Sequence, residues 1–461
     1  MYIDFYKLKS GYDVSLKAMK GFLKKQFSFF LSLPLMATTV YLSGIIYSGK
    51  NQLVLSKINN NMGLNNPSDT FINNLLAKNP KLFDATLTHK EDYKIQIIYT
   101  QIDRGKKKKD KIRLTDHTFN LNEGNYFYPA STVKLPIAIL ALQRLNELKI
   151  TGLNKNSTMI TEAAYSGQTE VCNDPSSADG RPTIANYIKK ILLVSDNDAF
   201  NRLFEFLGPG YINTSLHQMG YKNVQIIHRL EVSLTEDQNR HTNPILFFDT
   251  TGRIIYRQPL VYTTLEYAQR DTKLGQGYFK GGKLINEPFD FSKKNRLPLQ
   301  DLHNIMRSIM FPNAVPEIQR FNLTKEDYDF LHRYMSMMPQ ESKSPVYPSP
   351  EYWDTYVKFL YYGSEPGKAE PNIRIFNKPG DAYGFLIDAA YIADYKNNIE
   401  FMLSAIIYCN SDGIFNDDKY DYDAIGFPFM KNLGRIIYDY ELKRQRKHPP
   451  DFSSFQFSYT D

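Results

Sequence analysis

A serine and a lysine three residues apart, Ser131 and Lys134, stand at the head of the apolar run Leu135 to Leu142, and no other Ser-x-x-Lys pair occurs in the chain. If a helix starts here, positions i and i+3 share a face, so the Lys134 ammonium lies beside the Ser131 hydroxyl. A hydroxyl at a helix start is also close to unpaired backbone N–H groups and to the positive end of the helix dipole. A lysine desolvated enough to lose its proton can accept the proton of Ser131 and make it a nucleophile. The plainer alternative is a helix cap followed by a surface lysine. Two further stretches weigh against it: Ser195-Asp196-Asn197, which occurs once, and Lys378-Pro379-Gly380, on a strand-like segment near the end.

The elements that must hold these residues follow from periodicity. Leu135 to Leu142 is apolar almost all round, which predicts a buried central helix completed by Leu142 to Leu148, with Pro136 tolerated in its first turn. Ser68 reads as the cap of a helix through Phe71 to Leu76. Tyr93 to Ile102 alternates and is β-branched, and a second strand runs near Arg113 to Leu121. A helix over Thr183 to Leu193 ends at Ser195, and Asn201 to Leu207 is helical until Gly208-Pro209-Gly210 stops it. Ile245 to Tyr256 reads as a hairpin turning at Asp249 to Gly252, and residues 257–297 as a surface insertion. Helices resume at Leu299 to Met310 and Lys325 to Met338. Three strands, Asn372 to Asn377, Gly384 to Tyr395 and Glu400 to Asn410, precede a helix from Ala424 to Leu442. Strands at both ends with helices between predict an α+β fold, one antiparallel sheet of about five strands with helices on both faces and an inserted helical domain. The organisation expected is a catalytic domain over 67–442, with a helical subdomain at about 135–371, an insertion at about 245–297 and a polar tail over 443–461.

Composition limits the partners. The chain has 461 residues, 42% hydrophobic content and a net charge of +7, enough to bury a large core in one or two domains. The only dense basic run, Lys106 to Lys109 with Lys111 and Arg113 nearby, lies between two strands and reads as a solvated hairpin tip, so no nucleic-acid partner is expected. Lys20, Lys24 and Lys25 followed by the apolar stretch Phe27 to Ile46 predict an export signal within residues 1–50, or a membrane anchor through 27–46. Residues 51–66 are Asn-rich and read as a linker. Two cysteines, Cys172 and Cys409, make no disulfide framework, and the eight histidines show no zinc spacing. No cofactor or metal is expected, and the chain is expected to be a monomer.

The set Ser-x-x-Lys, Ser-Asp-Asn and Lys-x-Gly resembles the signature of the serine β-lactamase and penicillin-binding superfamily. Within it, Arg229-Leu230-Glu231-Val232-Ser233-Leu234-Thr235, starting 34 residues after Ser195, stands where class A β-lactamases carry an Arg-x-Glu-x-x-x-Asn loop. The resemblance implies Ser131 as nucleophile, with Lys134, or Glu231 through a water, as base. It implies Ser195 as the proton carrier with Lys378 lowering its pKa, and the backbone N–H groups of Ser131 and Asp381 as the oxyanion hole. Asn197 would grip the amide side chain of the substrate, Gly380, Asp381 and Thr235 would line it, and Asp196 and Arg229 would be structural. Three departures bear on specificity. Pro379 replaces a hydroxyl residue, Asp381 adds a negative charge where a carboxylate would bind, and Thr235 replaces an Asn. The implied activity is hydrolysis of a β-lactam or related cyclic amide. The rivals are a D-alanyl-D-alanine carboxypeptidase or other cell-wall peptidase, an esterase, and an idle cell-wall-binding protein.

Overall fold

The computed structural model describes residues 70–107 and 111–459. The expected export or anchor segment, the Asn-rich linker, the Ser68 cap and part of the basic run lie outside them. Two helices, α1 (Thr70–Ala77) and α2 (Pro80–Thr88), lead into strands β1 (Gln96–Asp103) and β2 (Arg113–Phe119). A 3-10 turn, Ala130–Val133, then feeds α3 (Lys134–Leu148). Strand β3 (Thr158–Thr161) precedes α4 (Ile184–Val194), α5 (Asn197–Gln218) and α6 (Glu236–Arg240). Strands β4 (Ile245–Phe248) and β5 (Ile254–Gln258) are followed by four short strands, β6 (Lys273–Leu274), β7 (Gly277–Lys280), β8 (Lys283–Ile285) and β9 (Phe289–Asp290). After α7 (Leu299–Met310) and α8 (Lys325–Ser336) come β10 (Ile373–Asn377), β11 (Gly380–Ala382), β12 (Phe385–Asp394), β13 (Ile399–Tyr408), β14 (Ile414–Phe415) and α9 (Phe427–Lys443).

The main sheet runs β10-β12-β13-β1-β2, with β11 also on β12, and all its pairs are antiparallel. Every residue of β12 is buried and all but the last of β13, because both faces of the sheet are covered. On one face α1, α2 and α9 pack against Ile97, Tyr99, Leu386 and Leu403. On the other, α3 and α7 pack against Ile98, Ile387, Met402 and Ile406. This is the expected α+β architecture. Helix α3 is buried from Lys134 through Gln143, as its all-round apolar sequence requires.

Four details differ from the sequence reading. Helix α5 is not stopped at Gly208-Pro209-Gly210: Gly208 takes φ 72°, kinks the helix, and the helix continues to Gln218. The hairpin β4–β5 gains a third strand in β3. The stretch read as a surface insertion sends Phe291 into the core, and Asn295 Oδ1 accepts a bond of 2.8 Å from the Ile227 N–H. The tail read as polar buries Phe452 and Phe455, with the Phe455 ring 4.9 Å from that of Tyr391. In the last two cases the buried apolar and amide side chains are too sparse to give a periodic signal.

The segment after Val224 has little secondary structure, and Arg229 is one of the buried side chains that anchor it. Arg229 Nε lies 3.0 Å from Glu205 Oε1 on α5, and its guanidinium also donates to the His241 carbonyl and Asn243 Oδ1 at 3.1 Å each. Arg202 meets the other oxygen of Glu205 at 2.9 Å. Breaking a buried pair from one side leaves an uncompensated charge, at about 3–5 kcal/mol. Arg229→Met should lower the unfolding free energy by about that amount in urea titration. Pairing it with Glu205→Leu should cost less than the sum of the two single changes. Additive losses would mean that the pair does not anchor this segment.

Candidate active site

The turn Ala130–Val133 places Ser131 ahead of α3 rather than inside it. Ala130, just before it, has φ 48°, an uncommon value for a side chain with a Cβ and of the kind that collects at functional sites. Ser195 (φ 62°) and Glu231 (φ 56°) adopt the same left-handed conformation. Three of the positions singled out from sequence therefore sit on, or directly after, a strained residue.

Lys134 is fully buried. Its Nζ donates to Ser131 Oγ at 2.8 Å, to the Ser195 carbonyl at 2.5 Å and to Ser195 Oγ at 3.3 Å. Burial lowers its pKa to about 7, against the upward pull of Asp196, Glu231 and Asp381. An amine with that pKa is unprotonated in about half of the molecules at neutral pH and can then accept a proton. Lys378, also fully buried, donates to Ser195 Oγ at 2.9 Å and to the Pro379 carbonyl at 2.7 Å. Burial, and then the neighbouring Lys134, push its pKa well below the ordinary lysine value. Ser131, Lys134, Ser195 and Lys378 thus form one hydrogen-bonded chain, with the Ser195 hydroxyl between two amines.

Strand β11 completes this cluster. Pro379 separates β10 from β11 on their shared partner β12, as a residue without an N–H must. Tyr383 (φ 54°) and Gly384 (φ 78°) form the two-residue turn into β12, a pair of positive φ values that suits a tight hairpin. Gly380 lies so close to the Ala130–Val133 turn that a Cβ there would be 2.6 Å from the Ser131 nitrogen. The strand thereby brings its backbone against the Ser131 N–H, the approach an oxyanion site made of Ser131 and Asp381 amides requires. The Asp381 side chain is open to solvent. Burial against the cleft walls raises its pKa, and Lys378 and Lys134 pull the other way without reversing that shift.

Asp196 caps α5, accepting from the Ala199 N–H at 2.7 Å, and lies 3.8 Å from Lys190 Nζ. Asn197 is the first residue of α5 and is partly exposed. Glu231 is exposed and makes no direct hydrogen bond to Ser131 or Lys134 among the described residues, though its charge acts on Lys134. Thr235 is not brought to the cluster: its hydroxyl caps α6, accepting from the Gln238 N–H at 3.2 Å.

Sequence reading missed two supporting groups. Asn201 pins Leu230, the residue before Glu231, donating to its carbonyl at 2.9 Å and accepting from its N–H at 2.8 Å. Its place six residues after Ser195 was the only available signal. Beneath Lys378 lies a second buried lysine, Lys358, which donates to Met335 and Ile375 carbonyls and to Asn377 Oδ1 at 2.8–2.9 Å. Asn377 in turn donates to Asp388 at 2.9 Å. Burial moves Lys358 down to about 7 and Asp388 up to about 6. No spacing in the sequence announces this group. Both cysteines are free thiols, Cys172 exposed and Cys409 buried.

The sequence profile of the β-lactamase enzyme family matches residues 84–286, a span that holds Ser131, Lys134, Ser195, Asn197 and Glu231 and stops short of Lys378. No curated protein sequence matches. Among solved structures, a class A β-lactamase from Clostridium kluyveri is 15% identical, with 77% of this chain and 97% of that one covered and a TM-score of 0.41. A β-lactamase from Burkholderia phymatum is 11% identical over 81% and 97%, TM-score 0.42. A protein described as PBP-A is 15% identical over 75% and 89%, TM-score 0.40. The family match, with the signature residues joined in one cluster, identifies the chain as similar to the serine β-lactamases and penicillin-binding proteins.

Proposed function

We propose that the protein is an exported serine hydrolase of class A β-lactamase type that opens a β-lactam or related cyclic amide through an acyl-enzyme. The observation that carries this reading is the chain Ser131 Oγ, Lys134 Nζ, Ser195 Oγ, Lys378 Nζ, with every link between 2.8 and 3.3 Å. Export rests on the lysines before the apolar stretch Phe27 to Ile46. In this reading Ser131 Oγ attacks the carbonyl carbon as its proton passes to Lys134. The backbone N–H groups of Ser131 and Asp381 hold the developing oxyanion. The C–N bond breaks as Ser195 gives its proton to the leaving nitrogen and is reprotonated from a lysine. Water, activated by Glu231, then attacks the ester and frees Ser131.

A second reading has one observation in its favour. Glu231 is exposed and unbonded to the cluster, and Thr235 is occupied in capping α6, so the acylating half of the machinery is better assembled than the deacylating half. A penicillin-binding peptidase, which turns over a cell-wall peptide and holds a β-lactam as a long-lived adduct, has that balance.

Intact-mass spectrometry after penicillin treatment separates the readings. Ser131 should gain one penicilloyl group that the parent clears and Glu231→Gln retains. A positioned base contributes about 10²–10⁴-fold to such a step. A permanent adduct on the parent supports the peptidase, and a label that survives Ser131→Ala removes the nucleophile assignment.

The acylation rate should depend on pH through Lys134. The amine must be unprotonated to accept the Ser131 proton, and its pKa is lowered to about 7. Pre-steady-state acylation should therefore rise with pH through a midpoint near 7 and level off above it. A rate still climbing toward pH 10 would mean an ordinary lysine and a different base.

A further inference from the structure

A cavity of about 460 Å³ opens directly from the catalytic cluster, with Ser195, Pro379 and Asp381 in its wall. Its far side is aromatic: Trp353, Tyr356 and Phe427 line it, with the Trp353 and Tyr356 rings 5.0 Å apart at 81°. Two carboxylates face it without an ion-pair partner among the described residues, Asp381 and Asp423. A third, Glu365, is held by Lys431 at 2.5 Å. No Lys or Arg lines the cavity.

These features together select by charge. An anionic group next to Pro379 would meet two carboxylates and an aromatic wall, with no Lys or Arg in the cavity lining to receive it. A cation is favoured by the carboxylates, and an aromatic wall suits it. The walls are also apolar enough to take an aliphatic arm. We infer that the substrate carries a primary ammonium on a short aliphatic arm on the leaving-group side of the scissile carbonyl, seated between Asp381, Asp423 and the Trp353–Tyr356 wall. This rests on the proposed serine-hydrolase reading and names the substrate class of that site. The site would therefore disfavour substrates with a carboxylate at that position and accept amine-bearing amides or esters, such as peptides with a free side-chain amine.

The test uses the full chain in detergent and three phenyl esters of one acyl group, whose leaving phenol carries an aminomethyl, a carboxylate or no substituent. Acylation of Ser131 releases the phenol, the proton of Ser131 ending on the departing oxygen, and burst kinetics reports the rate. The expected result is a kcat/KM for the aminomethyl ester about tenfold or more above that of the carboxylate ester, with the unsubstituted ester between them. Asp381→Asn should shrink that ratio at least fivefold. Should Asp381→Asn fail to fold, Asp423→Asn should shrink the ratio in the same direction. Equal rates for the charged esters, or a ratio unmoved in a folded variant, would overturn the inference and leave the hydrolase reading standing. If none of the three esters acylates Ser131, the hydrolase reading falls and the inference with it.

Discussion

Everything in the site depends on one desolvated amine. Lys134 Nζ is fully buried, and its three hydrogen bonds go to Ser131 Oγ and to the hydroxyl and carbonyl of Ser195. Among the described residues none goes to a carboxylate; Asp196, Glu231 and Asp381 act only at longer range. A permanent charge so placed would be costly, so the amine gives up its proton readily, and that readiness is what a nucleophilic hydroxyl needs. The apolar body of α3 supplies the desolvation. The left-handed Ser195 turns its carbonyl and hydroxyl onto the same amine, and Gly380 lets β11 close over the top.

The neighbouring lysines extend the same logic. Lys378 shares Ser195 with Lys134, and two amines in one buried site cannot both hold a full charge. Lys358 sits below, tied through Asn377 to Asp388, and Lys378 feels both Asp388 and Lys358. Residues on α8 or the strands that only brace this group can thus alter the proton balance at Ser195 without touching it. At the mouth the balance reverses, since the cavity wall holds Glu365, Asp381 and Asp423 and no Lys or Arg.

Much of this was legible in the sequence, and for physical reasons. The central helix was readable because a fully buried helix is apolar on every side, and β12 and β13 because strands covered on both faces are apolar throughout. That Ser131, Lys134, Ser195 and Lys378 come together was readable because each belongs to a short motif, and the structure joins them in one hydrogen-bonded chain. Strand β11 was not, because three residues broken from β10 by Pro379 carry no period. Gly208-Pro209-Gly210 misled because a left-handed glycine can kink a helix that packing on both sides then continues. The Lys358–Asn377–Asp388 group was hidden inside apolar runs, where single polar residues look like interruptions. Thr235 was assigned by its offset from Glu231, and the nearer need of α6 for a cap took its hydroxyl instead.

The site depends on a Lys134 amine that loses its proton near neutral pH. Protein carrying ¹³Cε-labelled lysine, with the Lys134 signal identified by its absence in Lys134→Arg, allows that amine to be titrated directly by NMR. The account predicts a midpoint near 7, well below the roughly 10.4 of an unperturbed lysine. A Lys134 signal that titrates near 10 would contradict it.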